Sequence, residues 1–140
     1  MIDRKDLIIT EVGSGYEQFP SVLQPIVDIS KTEGRNQSIG KMTTIYKVEY
    51  EPLNLLVAMC GAIWYKGTCK FKNTYVVPQF RKKGVFKHMI DFRIEEARKR
   101  KIRLINTICT KMSINEYLRR GATKVRYYDG WGLTYVRLEI

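Results

Sequence analysis

Val76-Val77-Pro78-Gln79-Phe80-Arg81-Lys82-Lys83-Gly84-Val85-Phe86-Lys87 is the stretch on which the reading of this chain turns. Upstream, Phe71, Asn73, Tyr75 and Val77 alternate with Lys70, Lys72, Thr74 and Val76, so a strand runs up to Pro78. Downstream, Phe86, Met89, Ile90, Ile94 and Ala97 recur at helical spacing with Lys, Arg and Glu opposite them. A basic loop containing a glycine therefore joins the end of a strand to the start of a helix. Amide N–H groups in a first helical turn have no partner inside the helix, and with the helix dipole they form a seat for a phosphate or pyrophosphate. Arg81, Lys82, Lys83 and Lys87 add positive charge around that seat, and Gly84 permits close approach.

Toward the N-terminus, Leu7–Val12 is short and β-prone and stops at Gly13-Ser14-Gly15. Ser14 and Glu17 have capping-box spacing, but Pro20 and Pro25 prevent one long helix, so 16–31 reads as a broken helical segment. The polar stretch Lys31–Lys41, with Gly34 and Gly40, reads as a mobile loop. Strands come next over Thr43–Glu51 and over the apolar run Leu55–Tyr65, with Lys66-Gly67 turning into the strand that ends at Pro78. Beyond the long helix, which Arg98-Lys99-Arg100-Lys101 ends, Ile102–Thr110 reads as a strand. Ser113 and Glu116 form a second capping box before a short helix closed by Gly121, and strands at Val125–Tyr128 and Leu133–Ile140 finish the chain. Arg93 breaks the long helix's apolar stripe; its stem is expected to pack while its head snorkels to water. The expected fold is a single α+β domain over 1–140, one mixed sheet of six to seven strands with helices on both faces, and a parallel crossover between Phe71 and Thr110.

With 44% hydrophobic and 28% charged residues the chain can bury a core, which excludes general disorder. The longest apolar run falls short of a bilayer span, and Asp3, Arg4, Lys5 and Asp6 crowd the start where a leader would need apolar residues, so a cytoplasmic protein without membrane contact is expected. Three cysteines, Cys60, Cys69 and Cys109, lie at neither metal nor redox-pair spacing, and His88 stands alone. No metal site is expected. The balance of 25 Lys+Arg against 14 Asp+Glu, net +11, attracts polyanions: nucleic acid, a phosphorylated cofactor or an anionic membrane.

The chain here resembles the GCN5-related N-acetyltransferase (GNAT) family. Val76, Pro78, Arg81, Gly84, Met89 and Ile90 stand at the offsets of that family's acetyl-CoA motif, and Tyr117-Leu118-Arg119-Arg120-Gly121 matches its next element, with the clear match spanning 71–128. Phe86 departs from the motif's usual Gly or Ala, and Ala122 from a frequent Phe. The resemblance implies an N-acetyltransferase with acetyl-CoA as co-substrate and a primary amine as acceptor, on a small molecule, a protein lysine or a protein N-terminus. It implies cofactor contacts at Val76, Val77, Arg81, Lys82, Lys83, Gly84, Val85, Phe86 and Lys87, with the pantetheine arm along the strand ending at Val77. That strand and the one at Ile105–Cys109 would splay to admit the thioester. Tyr117 is implied as the acid that protonates the departing thiolate, and Phe86 is expected to turn into the core.

The strand 68–77 carries no acid, so Glu49, with Glu51, is the candidate base. His88 lies too early in the cofactor helix for that role, and Cys109 is expected to be a buried, inert thiol. The acceptor site is expected between the broken helix, the loop 31–41 and the turn 129–132, where Tyr128, Asp129 and Trp131 offer polar contacts. The high basicity makes a polycation a less natural acceptor than a neutral or anionic molecule. Two other readings stand beside this one: a basic nucleic-acid-binding module with aromatic stacking, and a CoA-binding protein of the same fold without catalysis. A monomer or a homodimer fits either.

Overall fold

The computed structural model describes residues 1–140. Seven strands form one sheet: β1 (Leu7–Gly13), β2 (Thr43–Tyr50), β3 (Leu55–Trp64), β4 (Thr68–Val76), β5 (Leu104–Cys109), β6 (Thr123–Tyr128) and β7 (Leu133–Glu139). Their spatial order is β1-β2-β3-β4-β5-β7-β6, antiparallel throughout except for the parallel pair β4–β5. Three helices accompany them: α1 (Gln24–Thr32), α2 (Val85–Lys99) and α3 (Ile114–Arg119). No helix is long and apolar enough to cross a membrane.

Alternation along the strands sorts the core between two layers. Tyr46 meets α2 edge-on through Phe92, and Phe71 lies under the guanidinium of Arg93, so β2 and β4 turn these residues to one face. Tyr75, paired in register with Met59, reaches instead to Glu33 at the end of α1 on the other face. The buried residues form two clusters, the first of which draws on both faces. One holds Leu23, Ile26, Ile45, Met59 and Met89; the other holds Phe71, Ile90, Ile94, Ile105 and Val136.

Several local readings are corrected. Residues 14–20 are not helical, and Ser14 caps nothing; the helical segment starts with a short 3-10 turn at Ser21–Leu23 and continues as α1. Pro25 sits in the first turn of α1, where a missing N–H costs nothing, so it opens the helix rather than breaking it. Ser113 is already in the helical region (ψ −22°), and its hydroxyl accepts from Thr110 N at 3.0 Å instead of capping α3. Arg93 does not snorkel. It is fully buried, with Nη1 donating to Gly61 O at 3.0 Å, Nε to Met89 O at 3.3 Å, and its guanidinium 4.4 Å from the Phe71 ring centre. The carbonyls and the aromatic face replace part of the lost hydration of this cation, while its Nη2 has no hydrogen-bond partner.

Candidate functional site

The ladder between β4 and β5 runs from Thr68–Leu104 to Phe71–Thr107 and stops, although both strands continue. β5 remains bonded to β7 as far as Cys109, and β4 to β3 as far as Val76. The two halves of the sheet therefore part beyond Phe71, and a cavity of about 550 Å³ occupies the wedge. β4 lines it with Lys72, Asn73, Thr74, Tyr75 and Val76, and β5 with Thr107 and Ile108. The loop before α2 contributes Phe80, Arg81, Lys82 and Gly84, α2 contributes Phe86 and Lys87, and α3 contributes Glu116 and Tyr117. Arg35 and Gln37 close it from the loop after α1.

At the α2 end the amides of Lys82, Lys83, Gly84, Val85, Phe86 and Lys87 have no hydrogen-bond partner anywhere in the chain. The cause is local. Gly84 occupies the N-cap with φ +91° and offers no side chain, where Ser, Thr, Asp or Asn would consume a donor. Lys82, with φ +60°, bends the chain into the turn that presents these groups. Alternating backbone of this kind forms a concave anion seat. Lys82 and Lys83 are exposed without ion-pair partners, and Lys87 faces Glu116 at 3.9 Å. The Met1 side chain reaches over the seat, with Cε 2.8 Å from where a Cβ on Gly84 would stand, and Ile2 N donates to Lys83 O at 3.1 Å. Met1 is 89% exposed, so moving it aside costs no core packing.

Arg81 is held away from the free amides. Its Nε donates to Val76 O at 3.1 Å, and its two Nη groups donate to the Glu33 carboxylate at 3.0 and 2.5 Å. Tyr75 donates its phenol to the same carboxylate. The Arg81 guanidinium, aided by that phenol, pulls the Glu33 carboxyl down to about 2. Val76 and Val77 are both buried; Val76 lines the cavity, while the Val77 amide is spent on Val57 O at 3.0 Å.

Tyr117 lines the opposite wall, 3% exposed, with its ring edge-on to Phe86 at 6.3 Å. Burial pushes its phenol above the ordinary range, so it is protonated at neutral pH. Phe86 is only half-buried, wedged between both core clusters and the cavity. Cys109 is buried, its thiol pushed up to about 11, and is inert as a nucleophile. Glu49 is not brought to the cavity; its carboxylate pairs with Lys47 at 3.2 Å on β2. The turn 129–132 is also remote, with Trp131 77% exposed and none of Tyr128, Asp129 or Trp131 on the cavity wall. His88 likewise lies outside it.

Sequence reasoning did not single out Arg35, Gln37, Lys72, Asn73 or Glu116 for this place. Asn73 carried a signal: a polar residue inside a strand at φ +54° marks the bulge at which β4 shifts its register against β3. Its Nδ2 donates to Ser38 O at 2.8 Å and to Gln37 Oε1 at 3.2 Å, which places the loop after α1. Ser30 Oγ, donating to Arg35 O at 2.7 Å, adds a second tie. The loop expected to be mobile is thus anchored.

No family model and no curated protein sequence matches the chain. Solved structures do. The ribosomal-protein-S18-alanine N-acetyltransferase of Escherichia coli superposes with a TM-score of 0.71 at 15% identity, covering 96% of this chain and 94% of its own. An IAA acetyltransferase from Bacillus cereus gives 0.69 at 14% identity over 96% and 99%. A GNAT-family acetyltransferase from Elizabethkingia anophelis with acetyl-CoA bound gives 0.65 at 14% identity over 96% and 99%. At these identities the likeness is one of fold: the chain has the GNAT acyl-CoA N-acyltransferase fold.

Proposed function

We propose that the protein is an N-acetyltransferase that takes its acetyl group from acetyl-CoA and passes it directly to an amine. The observation that carries this is the run of six unpaired amides at residues 82–87, opening onto a cavity in the split between β4 and β5. A diphosphate is the ligand such a run suits, since it needs several donors at once and tolerates no competing cap. Lys82, Lys83 and Lys87 supply full charges around it. The unpaired edge of β4 beyond Phe71 offers backbone groups to an extended amide-bearing arm. That CoA is bound by solved structures of this fold supports the assignment.

Bound acetyl-CoA supplies a thioester whose carbonyl carbon is open to an amine. Tyr117, neutral and facing the cavity, gives its proton to the sulfur as the C–S bond breaks and recovers one from solvent. No carboxylate stands ready to take the proton from the amine. Instead the wall carries Arg35, Lys72, Lys82 and Lys87 against Glu116, the charge of Arg81 being met by Glu33. A positive field of this kind lowers the pKa of an entering amine, so an ordinary α-amine near about 8 arrives unprotonated at neutral pH and sheds its second proton to water after attack. The field takes over the work of a base.

The test is to follow thermal unfolding while titrating acetyl-CoA, and then to measure free thiol released on adding amines. A midpoint raised by several degrees, with thiol release that depends on the amine, is expected. A midpoint that stays flat up to millimolar acetyl-CoA overturns the assignment.

A further inference from the structure

We infer that the acceptor is an amine carrying an anionic group, a carboxylate or a phosphate, which Lys72 and Arg35 hold on the wall of the same cavity. The inference rests on the acetyltransferase assignment and names the substrate class of the same cavity. Lys72 stands on β4 one residue past the last pair of the β4–β5 ladder, half-buried, with neither an ion pair nor a hydrogen bond. An ammonium on a cavity wall without counter-charge is a ready partner for a ligand's anion. Nothing in the protein takes that place. Glu116, the cavity's single acid, is shared by Lys87, Arg119 and Arg120. Glu33, two residues before Arg35, is committed to Arg81 and Tyr75. Arg35 also has no partner for its guanidinium, yet its backbone is fixed by Ser30 and its loop by Asn73. A guanidinium at the rim and an ammonium inside make a two-point clamp for one anion.

Position separates Lys72 from the free amides of residues 82–87. Across the bulge at Asn73, Lys72 pairs with Gly61 and Val76 with Ala58, so three steps of β3 at ~3.3 Å each put Lys72 roughly 10 Å before Val76, and the free amides lie further on still. A polyamine would bring a second cation against Arg35 and Lys72, so the same pair that selects an anion rejects a polycation.

Two measurements test this. In the first, thiol release is followed with glycine, L-leucine and L-glutamate against their α-amides, and with phosphoethanolamine against ethanolamine. The wild type is expected to prefer the anionic member of at least one set about tenfold or more in kcat/KM, the amino-acid and phosphate arms telling the two anions apart. Lys72→Met and Arg35→Met should collapse that ratio toward one through KM of the anionic acceptor, and Lys72→Arg should restore part of it. An unaltered midpoint shift with acetyl-CoA shows that a variant is folded. If Lys72→Met lowers kcat/KM alike for anionic and neutral acceptors, its charge serves only the field that acts on every amine, and the inference fails. The second measurement is calorimetric titration with N-acetylglycine, N-acetyl-L-leucine and their amides, which needs no turnover. Equal affinity for acid and amide overturns the anion clamp. Preference for the acid, with no amine ever releasing thiol, would instead overturn the acetyltransferase assignment and leave the clamp in place.

Discussion

In the loop from Pro78 to Lys87, the features that leave the amides free come from neighbours in the chain: a proline ending the strand, left-handed Lys82 and Gly84, and a helix start with no cap. In the loop from Glu33 to Met42, the shape comes from afar. Asn73 holds it across 35 residues, and Arg81 holds its first residue across 48. The first loop leaves its backbone donors unpaired and works through them; the second pairs its polar groups and works through the side chains thereby placed. On the proposed function, donor binding would be a property of one short segment. Acceptor binding would be a property of the folded molecule.

The largest effect should come from damaging the local element. Gly84→Asp puts a carboxylate among the free amides, where it caps them and repels phosphate. Acetyl-CoA affinity should fall by about 100-fold or more, about 2.7 kcal/mol, read as loss of the thermal shift. Gly84→Ala separates charge from backbone strain, since φ +91° penalises any side chain by roughly 1–2 kcal/mol. If Gly84→Asp binds acetyl-CoA as the wild type does, the amides are not the seat. Next in size is Tyr117→Phe. Removing the proton donor should lower kcat about 100-fold, at the modest end of acid catalysis because a thiolate leaves readily, with little change in acetyl-CoA affinity. An unchanged kcat would reduce Tyr117 to a packing residue against Phe86.

The difference between the two loops also explains what could be read in advance. The order of elements, α2 and the basic turn that opens it were legible because each depends on period-two or helical spacing and on the residues around Gly84. The capping boxes at Ser14 and Ser113 misled because spacing alone does not say whether a serine has the extended backbone that a cap requires. Glu49 looked available because its pairing with Lys47, a strand neighbour, is a matter of side-chain direction. Arg93 was read at the surface because the carbonyl of Gly61 and the ring of Phe71 reach it only after β3 and β4 are packed on α2. Lys72 looked like any polar residue of an alternating strand. Only the early end of the β4–β5 ladder turns it into a cavity residue.

The long-range loop can be loosened at its anchor. Asn73→Gly keeps the backbone, since glycine accepts φ +54°, but removes the bonds to Ser38 O and Gln37 Oε1. Acceptor KM should rise about tenfold, the equivalent of one to two hydrogen bonds, while the acetyl-CoA thermal shift persists. Asn73→Ala loses the same bonds and adds strain, so a thermal midpoint lower than that of Asn73→Gly would isolate the backbone contribution. If both substitutions weaken acetyl-CoA binding as strongly as Gly84→Asp does, the two loops are one unit and the division between them fails.

The smallest effect lies where the loops touch, at Glu33 and Arg81. Because the folded-state carboxyl titrates near 2 rather than 4.5, the contact stabilises the fold above about pH 4.5 and is lost as pH falls through 2. Glu33→Gln cannot lose what it lacks, so its denaturation midpoint should decline less steeply between pH 5 and pH 2 than that of the wild type. Both partners are about one-third exposed, so the size of the difference at neutral pH is small. At pH 7 the same substitution frees the Arg81 guanidinium to turn from Glu33 toward an anion at the α2 end. Acetyl-CoA should then bind about twofold to threefold more tightly, because the phosphate no longer competes with a carboxylate for that cation. Acceptor KM should move the other way, since Glu33 no longer ties down the start of the loop that carries Arg35. Opposite shifts of the two constants would show that the donor and acceptor ends share one guanidinium; shifts in the same direction would show that Glu33 only holds the fold together.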